Sequence, residues 1–523
     1  MTARPHLLHQ LVEAHATSAD ALAVTDGDES LDAGTLQHRL AQMAALLQEL
    51  GVRPGDRVGI QLHCSVRAMV AVHGVLHAGG VVVPLDPDAP PAYVADLVRR
   101  CAVDTVVTQL PAARLTPLTE AGVRNLVAAG PIDGVRTLTW DDLERLDPIA
   151  PALRTGDDPA YVIWTSGSTG RPKGIVHTHR SGLRCAELTV DTYGLDPDDR
   201  LACSAPLHFD QSIFQLYAAP GAGAASVMLP APVLRFPASV TARLADLGVT
   251  AWYSVPSLLV QLARRGALDE RDLSAMRWVL FGGEVFPAGQ LAELMRLVPS
   301  ARFSNVYGPA EVNQCTFHHL DVPPAGDALV PIGRAWADTE LRVVDTDGYD
   351  VRDGAGELWV RSATAMAGYW DDEAATEAAF RTVDGPGGLT QRWYATGDLV
   401  ELDERGALVF LGRRDHQVKI RGHRIELESV ESALAELPGV AEAAVVPERL
   451  DDGDRLSGLV VAEVPVDPAD LVARLGTLLP PYAVPHRIRV VAHLPRTSTA
   501  KIDRSAAAAL LADLDDDALM ETP

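Results

Sequence analysis

Short runs of Val, Ile and Leu alternate with longer segments rich in Ala, Leu, Arg and Glu along most of this chain. RVGIQL at 57–62 precedes the helix-patterned SVRAMVAVHGVLHAG, and MRWVLFGGE at 276–284 precedes PAGQLAELMRLV. Buried strands that alternate with helices need cover on both faces, so the pattern dictates layered α/β architecture with largely parallel sheets. From about residue 330 the texture changes. ELRVVDTDGYDVRDGAGELWVRS (340–362) reads as two strands around Asp-Gly and Gly turns, a smaller β-rich unit.

A boundary falls at LGRRDHQVKIRGHRIE (411–426), dense in charge and glycine. The roughly hundred residues beyond it carry their own strand–helix pattern, enough for a small domain. The expected division is a core at 1–411, a hinge at 412–415 and a second domain at 416–523, closing on an alanine-rich helix with an acidic end.

The 70 acidic residues exceed the 45 basic ones, for a formal net charge of −25. That balance excludes a nucleic-acid or anionic-membrane partner, because phosphate contacts need a basic face. A small anion held by a few local cations remains allowed. Five scattered cysteines without a C-x-x-C pair point to reduced, buried thiols and a cytoplasmic protein. The N-terminal MTARPHLLHQLVEAHA reads as an amphipathic helix, not a signal peptide. The most apolar stretch, AMVAVHGVLHAGGVVVPL, carries two His and a Gly pair, and a bilayer needs ~20 predominantly apolar residues. No membrane helix is expected.

One loop carries chemistry. After the apolar strand ending at Trp164 comes TSGSTGRPKG, residues 165–174. Gly and Ser there can wrap backbone N–H groups around an anion, hydroxyls add donors, and Lys173 supplies a point charge. It is not the G-x-x-x-x-G-K-[ST] loop, since Gly167 and Gly170 are too close and Pro172 precedes the lysine.

TSGSTGRPKG resembles the phosphate loop of the adenylate-forming superfamily, which includes acyl-CoA synthetases, luciferases and nonribosomal peptide synthetase adenylation domains. LHAGGVVVPLDPDAP, NVYGPAE (305–311), GELWV, YATGDL (394–399), GRRDHQVKIRGHRIELESVE, LPPYAVP and TAKIDR (499–504) follow in the family's order. The resemblance covers about residues 20–505. It implies a large N-terminal domain of two layered α/β subdomains plus a distorted β-barrel, with a small mobile α+β C-terminal domain. It implies the reaction of a carboxylate with ATP to give an acyl-adenylate and pyrophosphate, then capture by a thiol.

The same resemblance assigns roles. Thr165, Ser166, Gly167, Ser168, Thr169 and Lys173 would hold the β- and γ-phosphates, and Glu311 the Mg²⁺. Asn305 and Tyr307 would contact adenine, with Gly283 and Glu284 alongside it. Asp398 would accept from the ribose hydroxyls, with Arg413 as a second ribose or phosphate contact. Lys501 would bridge the substrate carboxylate and the α-phosphate, and Asp415 would mark the hinge. Ala500 stands where relatives often have Gly, and Ala310 where they usually have Thr.

LHFDQS (207–212) resembles the F-D-x-S motif of amino-acid-activating members. Asp210 would pair with the substrate ammonium, whose unpaired burial would cost several kcal/mol. His208 would lie near the substrate carboxylate or stack inertly on its neighbours. Gln211, Phe214, Tyr253, Leu280, Gly282, Val306, Gln314 and Cys315 would complete the pocket. It is small and mostly apolar, with no second carboxylate, so a cationic side chain is not expected. The Phe/Tyr/Leu/Cys combination is similar to free-standing enzymes that load proline onto a carrier protein, whereas Gln211 and Gln314 depart from that pattern and could serve a polar substituent or another small α- or β-amino acid. No carrier segment follows Arg504, so the expected acceptor is the phosphopantetheine of a peptidyl or acyl carrier protein acting in trans, with coenzyme A, as in an acyl- or aryl-CoA ligase, as the rival.

Overall fold

The computed structural model describes residues 5–14, 18–165, 171–326, 328–351, 354–414, 417–450, 453–496 and 502–520. The chain divides into two compact units. The first comprises residues 1–87, 98–164 and 174–414; the second comprises 415–523 with the short segments 88–97 and 165–173.

Parallel pairing organises the first unit, as the strand–helix alternation predicts. In one nine-stranded sheet, Arg302–Tyr307, Trp278–Gly282, Ala251–Ser254, Arg200–Cys203 and Ala225–Met228 lie side by side in that order. All four pairings are parallel. The central strands are buried along their whole length, which is why they read as continuous apolar runs without alternation. A second, eight-stranded sheet runs from Gly368–Tyr369 to Arg136–Thr139 and contains the strands that enter and leave the Ser/Gly loop, Pro159–Thr165 and Lys173–Thr178. The Asp-Gly texture beyond residue 330 becomes a five-stranded antiparallel sheet, in which Thr390–Leu402 pairs with Leu408–Arg413.

The second unit has its own core of Val430, Leu434, Val445, Val460, Leu475 and Ile488. Three strands, Val440–Leu450, Gly453–Ala462 and Arg487–Val490, form its sheet. The hairpin Gln417–Ile420/His423–Glu426 turns on Arg421 and Gly422, with φ of 51° and 81°. A two-residue turn with positive φ at both positions matches the twist of the flanking strands.

The N-terminal segment differs from its expected amphipathic helix. Among its described residues, only Gln10–Ala14 is α-helical. The Gln10 amide oxygen accepts from the N–H groups of His6 and Leu7, at 2.9 and 3.1 Å, which folds the preceding residues into a turn. His9 is fully buried there, edge-on to His77 and His179. Burial pushes the His9 ring down to about 3, and His73 and His179 to about 4. These rings stay neutral in the folded chain while the unfolded chain protonates them below 6.5. Stability should therefore fall as pH drops from about 6.5 toward 4, which the urea midpoint measured at about pH 7 and about pH 5 will report. All five cysteines are free and buried. Among the described residues no helix is long and apolar enough to cross a membrane.

Candidate active site

In open parallel sheets, ligands bind beyond the carboxyl ends of the strands. Most of the expected pocket residues of the first unit stand there. Asp210 follows the strand Arg200–Cys203; Tyr253, Leu280, Gly282 and Val306 lie near the ends of the next three strands. Asp210–Ser212 is a 3₁₀ turn, and Phe214–Ala218 continues as a π-helix, a winding that frequently marks functional sites. Phe214 meets Tyr253 edge-on, with ring centres 5.8 Å apart. Leu280 and Val306 are buried.

The Asp210 carboxylate is partly buried, and its Oδ1 accepts from the Gln211 N–H at 2.9 Å. Its charge reaches deep groups. Burial first, and the negative charge of Asp210 second, drive the Tyr253 phenol far above its ordinary value and the Cys185 thiol up to about 12. Gln211 donates from Nε2 to the Gly282 carbonyl at 3.1 Å. A Cβ at Gly282 would sit 2.2 Å from the Val306 carbonyl oxygen and 3.0 Å from the Tyr253 hydroxyl, so only glycine lets these two strands close over the site. Cys315 donates its backbone N–H to the Tyr307 carbonyl at 2.9 Å, which places Gln314 beside the end of the Arg302–Tyr307 strand. His208 stacks edge-on against Phe209 and lies 3.9 Å from Asp86.

A second group of polar residues gathers at Asp398, which is 2% exposed. The Tyr307 hydroxyl donates to Asp398 Oδ2 and Arg413 Nη1 to Oδ1. Arg413 Nη2 also reaches the Thr396 carbonyl at 3.1 Å, and Thr396 Oγ1 accepts from the Asp398 N–H at 3.0 Å. These two side-chain donors use about two of the carboxylate's four acceptor positions, leaving room for hydroxyl donors. The Tyr307 ring, expected to stack on adenine, is largely packed among Ile175, Val312 and Cys315. Asn305 commits its amide nitrogen to the Pro331 carbonyl at 2.9 Å. Gly283 has φ of +90°, and Glu284 accepts from the Ser257 N–H at 2.9 Å, capping the helix Pro256–Arg265.

Glu311 is 1% exposed, and its Oε1 accepts from the Tyr369 hydroxyl at 2.8 Å. Tyr369 pairs with Ile175 on the strand leaving the Ser/Gly loop. Two residues beyond Glu311, Asn313 takes φ of 54° with ψ of −98°, outside the usual left-handed region, and donates to the Thr364 carbonyl at 3.1 Å. Thr165 and Lys173 end and begin the two strands that flank the loop. Ser166, Gly167, Ser168, Thr169, Asp415 and Lys501 lie outside the described residues.

The AMP-binding enzyme model matches residues 11–370, and the AMP-binding enzyme C-terminal domain model matches 429–501. The chain belongs to the AMP-binding enzyme family. Among curated relatives of this AMP-binding enzyme, an L-proline–[L-prolyl-carrier protein] ligase of Pseudomonas fluorescens is 32% identical, over 96% of the chain and 99% of the relative. A ligase of the same name from Streptomyces coelicolor is 33% identical over 91% of both. Among solved structures, an amide bond synthetase from Marinactinospora thermotolerans superposes with a TM-score of 0.84 at 26% identity, covering 96% of the chain and 99% of the neighbour. A nonribosomal peptide synthetase protein with adenylation and PCP domains, bound to a vinylsulfonamide inhibitor, gives 0.82 at 25%, covering 96% and 84%.

Three positioning residues of the AMP-binding enzyme escape a reading of the sequence. Tyr369 sits in MAGYW, a string that carries no assignment of its own. Thr396 reads only as part of YATGDL. His177, whose Nε2 meets the Ala310 carbonyl at 2.9 Å, reads as an ordinary strand residue.

Proposed function

We propose that this AMP-binding enzyme activates a small amino acid, with proline or a proline-like ring favoured, and passes it to the phosphopantetheine thiol of a separate carrier protein. The carboxylate oxygen of the amino acid attacks the α-phosphorus of ATP, and the bond to the pyrophosphate oxygen breaks. The thiol sulfur then attacks the carbonyl carbon of the aminoacyl-adenylate, losing its proton, and the bond to the phosphate oxygen breaks to release AMP and leave the thioester. The observation that carries this reading is the partly buried Asp210 carboxylate, whose charge acts on the Tyr253 phenol that meets Phe214 edge-on. A pocket so lined suits an ammonium attached to a small apolar frame. The two prolyl-carrier ligases, matched over nearly their whole length, support it.

Asp398 and Arg413 would hold the ribose, Asn305 would offer its amide oxygen to the adenine amino group, and Lys173 would neutralise the transferred phosphates. Glu311 fits Mg²⁺, which is bound through one or two carboxylates plus substrate phosphates. When bound, the ion supplies charge neutralisation at the phosphates. His208 would lie at the substrate carboxylate. Residues 412–415 would form the hinge that exchanges the two half-reactions, with 1–411 and 416–523 as the domains on either side.

A panel of amino acids in ATP–pyrophosphate exchange tests the proposal; no exchange with any small amino or imino acid sinks it. Lys501→Ala should lower exchange on the order of 10²–10³-fold while ATP still binds, by analogy with loss of one preorganised donor to developing negative charge. Tyr369→Phe removes the hydroxyl that orients Glu311 and should raise the Mg²⁺ concentration needed for half-maximal exchange by about tenfold. An unchanged Mg²⁺ requirement would remove Tyr369 from the metal assignment.

A further inference from the structure

The helical winding widens just after Asp210. Phe214–Ala218 is a π-helix, and the Ala219 N–H donates to the Phe214 carbonyl, five residues back. The sequence dictates this irregularity. Pro220 has no N–H, and its ring crowds the carbonyl four residues before it, that of Leu216. Two carbonyls then lose the donors that regular winding would give them. An α-helix would offer the Ala219 N–H to Gln215, but the wider turn has given it to Phe214. A π-helix would offer Gln215 the N–H of residue 220, and an α-helix would offer Leu216 the same group, which proline lacks.

Side chains from two flanking elements supply donors to both. Ser226, on the strand Ala225–Met228, donates its hydroxyl to the Gln215 carbonyl at 2.7 Å. His73, on the helix Val66–His77, meets the Leu216 carbonyl with Nε2 at 2.9 Å. A carbonyl only accepts, so that nitrogen carries the proton. The His73 ring lies edge-on to Tyr217, with centres 5.7 Å apart, which keeps it over the turn. His73, Gln215 and Ser226 are fully buried, so bulk water cannot take over either bond. The Gln215 side chain adds a third anchor, accepting from the Cys203 N–H at 3.2 Å and donating to the Cys64 sulfur at 3.5 Å. Asp210 opens the 3₁₀ turn that leads into this π-helix, and Phe214 is the first residue of the π-helix itself.

We infer that His73 and Ser226 are positioning residues for the amino acid, holding the π-turn in the winding that presents Asp210 and Phe214 to the substrate. The inference rests on the proposed amino-acid activation and goes beyond it. A buried carbonyl stripped of its donor destabilises the winding that contains it. Other windings then compete, the binding-competent fraction falls, and the apparent affinity for the amino acid falls with it. ATP should feel none of this, because Asn305, Asp398 and Arg413 lie on other elements.

The test is ATP–pyrophosphate exchange by the full chain, with KM read separately for ATP and for the amino acid used best. His73→Leu and Ser226→Ala should each raise the amino-acid KM by about tenfold and leave the ATP KM within about twofold. His73→Gln keeps a side-chain N–H donor and should hold both values within about threefold. Amide hydrogen exchange gives a readout that needs no activity. In the Leu and Ala variants the amides of residues 214–219 should exchange at least about tenfold faster, with those of Trp278–Gly282 unchanged. Equal rises in both KM values would show a general loss of structure and overturn the inference. So would an amino-acid KM that stays put while the urea midpoint falls, or amide exchange unchanged across the turn. Should His73→Leu fail to fold, Ser226→Ala, which removes only a hydroxyl, decides. Absence of pyrophosphate exchange with every amino acid would instead overturn the activity on which the inference rests, and amide exchange would then decide the hold on the turn by itself.

Discussion

Asp210→Asn should depress ATP–pyrophosphate exchange with amino acids by on the order of 10²–10³-fold, because breaking one side of a buried ion pair costs about 3–5 kcal/mol. The substitution keeps the shape of the side chain and its place in the 3₁₀ turn, and Oδ1 can still accept from the Gln211 N–H. What it removes is the charge proposed to face the substrate ammonium. The walls cannot compensate, since Phe214 and Leu280 are apolar and the Tyr253 phenol is held protonated by burial. Deaminated analogues such as tetrahydrofuran-2-carboxylate provide the control. They bring no ammonium, so the substitution should leave their exchange unchanged or improve it. Equal losses for both classes would mean that Asp210 shapes the turn and does not recognise the amine. Retained activity with amino acids would remove the assignment altogether.

The parts legible in the sequence are those set by local chemistry. The parallel sheets announce themselves because strands covered on both faces need unbroken apolar runs, as in Trp278–Gly282. LHFDQS and NVYGPAE single out Asp210 and Glu311 as candidates, because a short contiguous string carries each resemblance. Partnerships between distant residues leave no such trace. Tyr307 and Asp398 are 91 positions apart, Gln211 and Gly282 71, and Glu311 and Tyr369 58. Each pair is created by strand register and chain return, which periodicity does not encode. That is why the motif marks the Tyr307 ring as an adenine contact but gives no sign that its hydroxyl bonds to Asp398. The N-terminal segment fails for a related reason. Its apolar spacing permits a helix, but a side-chain oxygen from Gln10 competes for the backbone donors and turns the chain instead.

Asp398→Ala is expected to damage both folding and nucleotide binding, and the two effects are separable. The Asp398 and Arg413 side chains are 3% and 9% exposed, so truncation removes the carboxylate that neutralises a buried guanidinium, which keeps the Thr396 carbonyl as an acceptor. Losing one member of a buried ion pair costs about 3–5 kcal/mol, a large share of a total stability of roughly 5–15 kcal/mol. Tyr307 loses its acceptor at the same time. Replacing Arg413 with Met in the Asp398→Ala background removes the stranded charge but keeps the packing of its stem. Urea unfolding should show most of the lost stability returning in this double variant. Titration with ATP should show no such recovery, because the acceptors proposed for the ribose hydroxyls stay absent. If stability fails to return, the ion pair is not the source of the loss. If ATP affinity is intact in either variant, the carboxylate serves only to hold Arg413 and Tyr307 in place, and the ribose must be bound elsewhere.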